Sequence, residues 1–176
     1  MDNRVEETAR ALETALQMEI DGKEFYLKSA GASSNELAKR LFDNLAEQED
    51  VHYRIIQQLH EKVVSQGGWP EVETAFKHGK SLKSVFREAV EAMGQEPKVA
   101  STELDAIKTA MGMEDRSYSF YRSRAEEAAT PAERAFYEAL TAEERTHYLT
   151  LVDSYDYLSD PQGWLTKTEH WSLDGG

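Results

Sequence analysis

Cysteine is absent from the 176 residues. Disulfides, thiolate metal sites, iron–sulfur clusters and cysteine nucleophiles are therefore excluded within this chain. Basic charge is also short: Lys plus Arg number 20 against 33 Asp plus Glu, a formal net charge of −13. A field of that sign repels phosphate backbones and anionic lipid heads, so neither nucleic acid nor a membrane is an expected partner. No apolar run approaches the roughly 18–20 residues that a membrane span needs. The start, Met1-Asp2-Asn3-Arg4-Val5-Glu6-Glu7, lacks the basic and apolar stretches of a signal peptide. A cytoplasmic location is the expectation.

Proline (4) and glycine (10) are few and clustered, leaving long intervals of good helix formers. Four long helices are expected, over about Asn3 to Ala30, Ser33 to Ser65, Thr102 to Ala129 and Thr130 to Leu158. A short amphipathic helix near Leu82 to Met93 lies in the long connection between the second and third. Ser33-Ser34-Asn35-Glu36 reads as a capping box, and Thr130-Pro131-Ala132-Glu133 as a Thr cap with proline in the first turn. No alternating strand pattern competes, so the chain is all-α. Short connections make each helix pair antiparallel, while roughly thirty-five intervening residues suit a crossover along a four-helix bundle. That bundle is expected over 1–158. The segment 159–176, with Trp164 and Trp171, is too aromatic for a free tail and is expected to pack on its surface.

Sliding the chain on itself by 95 residues reveals a faint repeat. The shift aligns Glu19 with Glu114, Tyr26 with Tyr121, Glu49 with Glu144, His52 with His147 and Tyr53 with Tyr148. Two amphipathic hairpins share leucines and alanines by chance; shared Glu, His and Tyr in mid-helix are harder to obtain that way.

These residues lie on the apolar stripes. Leu37, Leu41, Leu45, Glu49, His52, Ile56, Leu59 and Val63 follow steps of three and four, as do Leu140, Glu144, His147 and Leu151. Leu12, Leu16, Glu19 and Tyr26 share one face, and Ile107, Met111, Glu114 and Tyr121 another. An ionised carboxylate in an apolar core costs several kcal/mol unless it is paired or binds a metal. Lys and Arg are largely missing from the stripes. Two divalent cations would balance four carboxylates. Mixed carboxylate and imidazole donors favour iron or manganese over zinc or calcium.

Glu19, Glu49-Asp50-Val51-His52, Glu114 and Glu144-Arg145-Thr146-His147 together resemble the rubrerythrin branch of the ferritin-like di-iron carboxylate superfamily. The resemblance implies a ferritin-like bundle with two iron ions, manganese or zinc being alternatives. It makes Glu19 and Glu114 terminal or bridging ligands, Glu49 and Glu144 bridging carboxylates, and His52 and His147 one nitrogen ligand per metal. It also implies reduction of hydrogen peroxide or oxygen, or ferroxidase-type iron handling, in a homodimer. Rubrerythrins proper carry a cysteine-bound iron in a rubredoxin domain; here an external electron donor such as a rubredoxin is expected instead. A further family glutamate, one turn before the third-helix ligand, is Met111 in this chain.

The remaining residues have two readings each. Tyr26 and Tyr121 either orient ligand carboxylates or are core aromatics with satisfied hydroxyls. Gly22 either leaves room for a small molecule or allows close helix packing. Tyr53 and Tyr148 rotate off the stripe and read as packing residues, while His60, His78 and His170 read as surface or structural. A metal-free or zinc-holding interaction bundle is the third functional class, beside an oxidoreductase and an iron-storage protein.

Overall fold

In the computed structural model, residues 3–70, 81–93 and 97–173 are described, with side chains through 167. Six helices account for nearly all of them: α1 (Asn3–Ala32), α2 (Glu36–Gln66), α3 (Leu82–Met93), α4 (Ser101–Glu127), α5 (Pro131–Ser159) and α6 (Pro161–Leu173). Among the described residues there is no strand, and no helix is long and apolar enough to cross a membrane. The fold is an all-α, ferritin-like bundle of α1, α2, α4 and α5.

Two apolar clusters fill the bundle, one at each end. Tyr26, Leu37, Leu41, Phe42, Ile107 and Tyr157 belong to the first; Val5, Leu12, Ile56, Val63, Tyr121 and Phe136 belong to the second. The start of α1 therefore lies beside the ends of α2 and α4 and the start of α5. Each hairpin is antiparallel, and α1 runs against α4. The end of α2 and the start of α4 therefore lie at opposite ends of the bundle, and α3 packs through Leu82, Phe86 and Ala89 at the Tyr157 end. Each fully buried Leu or Phe of these plugs contributes about 1.5–3 kcal/mol.

Three boundaries differ from expectation. α1 runs on through Gly31 to Ala32, and the Ser33 hydroxyl donates back to the Ser29 carbonyl at 2.8 Å, so Ser33 closes α1. The cap of α2 is Asn35 instead, whose side-chain oxygen accepts from the Ala38 N–H at 3.0 Å. The second hairpin follows the expected pattern: Thr130 Oγ1 accepts from the Glu133 N–H at 3.1 Å, with Pro131 in the first turn.

The third difference is α6. Ser159-Asp160-Pro161 ends α5 and also starts a helix, with Pro161 in its first turn and Asp160 Oδ1 accepting from the Gly163 N–H at 3.0 Å. Trp164 packs edge-on against Phe86 and Tyr157, at ring separations of 5.6 and 5.5 Å. His78 and the side chains of His170 and Trp171 lie outside the described residues.

One buried acid ties the two hairpins together. Glu103 Oε1 accepts from the backbone N–H groups of Ser34 and Asn35 at 2.6 and 2.8 Å, and Oε2 accepts from that of Ala100 at 2.7 Å. Its burial favours the neutral acid, but the converging amides outweigh it and hold the carboxyl below its ordinary range. Hydrogen bonds to a charged group contribute about 1.5–3 kcal/mol each, some of which water recovers at helix ends. Glu103→Ala is expected to lose about 2–3 kcal/mol in urea unfolding, with Glu103→Gln losing less.

Candidate metal centre

Between the two apolar plugs lies a polar layer. α1 contributes Glu19, α2 Glu49 and His52, α4 Glu114, and α5 Glu144 and His147, all 4 % exposed or less. Helical steps of three turn each Glu–His pair to one side of its helix, and the antiparallel packing brings the four mid-helix points to one level. The six side chains converge within this layer.

They form two overlapping groups. Glu19, Glu49, His52 and Glu144 each offer one donor atom, and these four atoms lie within 4.8 Å of one another; so do those of Glu49, Glu114, Glu144 and His147. Glu49 and Glu144 belong to both. His52 Nδ1 stands 3.4 Å from Glu19 Oε2 and from Glu144 Oε1, and 3.6 Å from Glu49 Oε2. His147 Nδ1 stands 3.4 Å from Glu114 Oε2 and 3.5 Å from Glu49 Oε1. The imidazoles stack at 5.6 Å with 14° between their planes.

Such separations are long for charge-assisted hydrogen bonds. Glu19 Oε2, Glu114 Oε2, Glu144 Oε1 and His147 Nδ1 are buried and make no hydrogen bond among the described residues. Orphaned acceptors converging on one point are costly in a dry interior. A pair of divalent cations fits both the donor set and the charge.

The outer atoms are held. The Tyr26 hydroxyl donates to Glu114 Oε1, and that of Tyr121 donates to Glu19 Oε1. Each tyrosine reaches the glutamate of the other half, because α1 and α4 lie side by side and antiparallel. Burial first, and then the facing glutamate, push both phenols well above their ordinary value, so they remain protonated donors. The same residues also serve as core aromatics, Tyr26 stacking on Phe42 and Tyr121 on Tyr137.

A sequence model of the rubrerythrin family matches residues 10–155. The chain belongs to the rubrerythrin family. No match was found among curated proteins or among solved structures. The family match spans all six clustered side chains, both tyrosines and the crossover. Within this rubrerythrin-family bundle Met111 packs, partly buried, against the Tyr26 end of the core.

Other residues divide cleanly. A Cβ placed on Gly22 would meet Glu49 Cγ and Cδ at 3.6 Å, an ordinary contact, so the glycine faces the Glu49 side chain without being required by close helix packing. Tyr148 lies beneath Arg145, and half-buried His60 contacts Glu13 at 3.4 Å. Tyr53 lines a surface cleft of about 260 Å³ between α1 and α2 that reaches Glu19. Two more of its lining residues, Lys23 and Asp50, pair at 2.5 Å, and Arg54 pairs with the same carboxylate. Two residues bearing on the histidines escape a reading of the stripes alone: Gln48, whose Oε1 is 3.0 Å from His147 Nε2, and Glu143. The repeat offset was the available signal, since it aligns these two with each other.

Without cations the layer is filled by protons. Burial, and next the Glu49 charge, push the Glu19 carboxyl up to about 8. Burial with the Glu114 and Glu49 charges raises Glu144 as well. Burial disfavours charge on the imidazoles, but Glu19 beside His52 and Glu114 beside His147 outweigh it and raise both. Burial opposes ionisation of Glu49 too, yet contacts with Glu19 and the histidines hold it ionised.

A folded carboxyl near 8 that is ordinary when unfolded binds an extra proton between about pH 4.5 and 8. Its stabilisation is complete below that window and lost as pH rises through about 8. Glu144, His52 and His147 act in the same sense; Glu49 acts oppositely, below its ordinary range. Thermal unfolding of metal-stripped protein is expected to show Tm falling between about pH 5 and pH 9, and the fall to shrink once divalent metal is added. A flat or rising profile for the stripped protein would contradict the assigned protons.

Proposed function

We propose that the chain is a non-haem di-iron oxidoreductase that reduces hydrogen peroxide or oxygen. The carrying observation is the pair of four-donor groups that share Glu49 and Glu144. In this reading Glu19 and His52 would hold one ion, Glu114 and His147 the other, and Glu49 and Glu144, which belong to both groups, would contribute to each. Iron held there would supply electrons through its ferrous and ferric states.

The chain's own residues do the rest. Tyr26 and Tyr121 each hold one oxygen of a terminal carboxylate, leaving the other oxygen turned inward. That hydrogen bond restricts rotation of each carboxylate about its Cγ–Cδ bond. The apolar plugs exclude water above and below the layer. The cleft at Glu19, far larger than the ~30 Å³ of a water molecule, offers peroxide or oxygen a lateral approach. Lys23 and Asp50 line it and pair with each other. With no cysteine in these residues, electrons reach the layer from a donor outside them, such as a rubredoxin.

Protein purified without chelators is expected to hold about two irons per chain. Anaerobic reduction followed by one equivalent of peroxide should oxidise them within seconds to minutes, with a near-ultraviolet ferric absorbance appearing. Glu49→Ala, which removes a side chain common to both groups, should lose most of the bound iron. Full metal content in that variant would overturn the ligand set; iron-loaded protein inert to peroxide and oxygen would overturn the activity. Oxidation and retention of many ferrous ions per chain would instead support ferroxidase-type storage.

A further inference from the structure

The two imidazoles turn the same edge toward the carboxylates: in both, Nδ1 faces the layer. Nε2 therefore faces outward, and what it meets decides which nitrogen carries the proton. For His147 the partner is Oε1 of buried Gln48, at 3.0 Å. Gln48 cannot turn over freely, because its amide nitrogen donates to Asn44 Oδ1 at 2.6 Å. An oxygen held in that position accepts the Nε2–H and leaves the Nδ1 lone pair for a cation.

The repeat places Glu143 where the first half has Gln48. A Glu143 carboxylate oxygen lies within 4.8 Å of a ring nitrogen of His52 and of one of His147. Glu143 directly precedes Glu144 on α5 and is half-buried, between the layer and the surface. The halves thus differ at this offset, with a neutral amide on α2 and a carboxylate on α5 beside otherwise matching donor sets.

We infer that Gln48 and Glu143 are positioning residues that make the two metal positions unequal, the His52 position being the tighter. This rests on the metal reading above. A carboxylate behind an imidazole raises the basicity of the opposite nitrogen, whereas a neutral amide fixes the ring without that gain. Loss of such partners costs about 10–100-fold in metal affinity. The His52 position, set by Glu19, Glu49 and Glu144, fills first and empties last. The His147 position exchanges its ion more readily.

The test is calorimetric and optical titration of the metal-free full chain with Co²⁺, a probe that reports coordination through its visible bands. Wild type is expected to bind in two steps separated by about 10-fold or more. Glu143→Gln should weaken the tight step by about 10-fold or more and shift its visible bands. Gln48→Glu should tighten the weak step, so that the two steps merge. The double swap, Q48E/E143Q, should restore the separation, a rescue that mere loss of packing does not produce. Two equal steps in wild type, or steps unmoved by either single substitution, would overturn the inference. If wild type and Glu49→Ala bind Co²⁺ alike, the metal reading itself fails; if only Glu49→Ala loses binding while the swaps do nothing, this inference alone fails.

Discussion

Charge balance in the polar layer governs this molecule. Four carboxylates and two imidazoles sit within a bundle whose ends are sealed by tyrosine, phenylalanine and leucine. A dry interior does not hold such a group of charges unless protons or cations answer it. Glu19 pushed up to about 8, with raised imidazoles, is the proton solution. Bound metal is the alternative, and the orphaned Oε2 atoms of Glu19 and of Glu114 fit it. The same layer is thus a weak point in the stripped fold and a strong point in the loaded one, because binding energy available only to the folded chain is folding energy.

The pseudo-repeat explains how one chain builds such a layer from modest sequence information. Each hairpin supplies a Glu on one helix and a Glu–His pair on the next, and antiparallel pairing superposes the two sets at the middle of the bundle. The tyrosines cross from one half to the other, Tyr26 to Glu114 and Tyr121 to Glu19, so neither hairpin completes its own glutamate. Glu103 adds a tie at the bundle end, joining the α1–α2 turn to the start of α4. Both devices couple the halves through polar atoms where the apolar stripes alone would permit sliding.

The parts of this arrangement legible in the sequence are those written in helical periodicity. Leu37 to Val63 and Leu140 to Leu151 keep an unbroken stripe, so the faces of Glu49, His52, Glu144 and His147 follow directly. The family resemblance gave those faces a chemical meaning, and the family match agrees with it. Local punctuation was less legible. Ser33 and Asn35 are equally able caps, and the choice fell to how far α1 runs past Gly31. Pro161 stops one helix and opens the next, which hid α6. Glu103 carries no periodic signal because its partners, Ser34 and Asn35, are on another hairpin. Tyr26 and Tyr121 were readable as neighbours of glutamates, but not as neighbours of the opposite ones.

Where the halves diverge is as informative as where they agree. The donor atoms repeat, while their surroundings do not: Gln48 is matched with Glu143, Gly22 with Ser117, Lys23 with Tyr118 and Asp50 with Arg145. Gly22, Lys23 and Asp50 all lie on the α1–α2 side, where the cleft reaches Glu19. Side chains that touch the carboxylates face the strictest constraint, since any change there unbalances buried charge. Those one layer out are freer to differ, and they give a symmetric core two chemically different sides: one with a cleft at Glu19, and one with Glu143 within 4.8 Å of both imidazoles. An enclosed pair of identical sites would receive substrate and release charge without preference. Unequal surroundings supply a direction, so the asymmetry of the outer residues is where a shared fold acquires a particular chemistry.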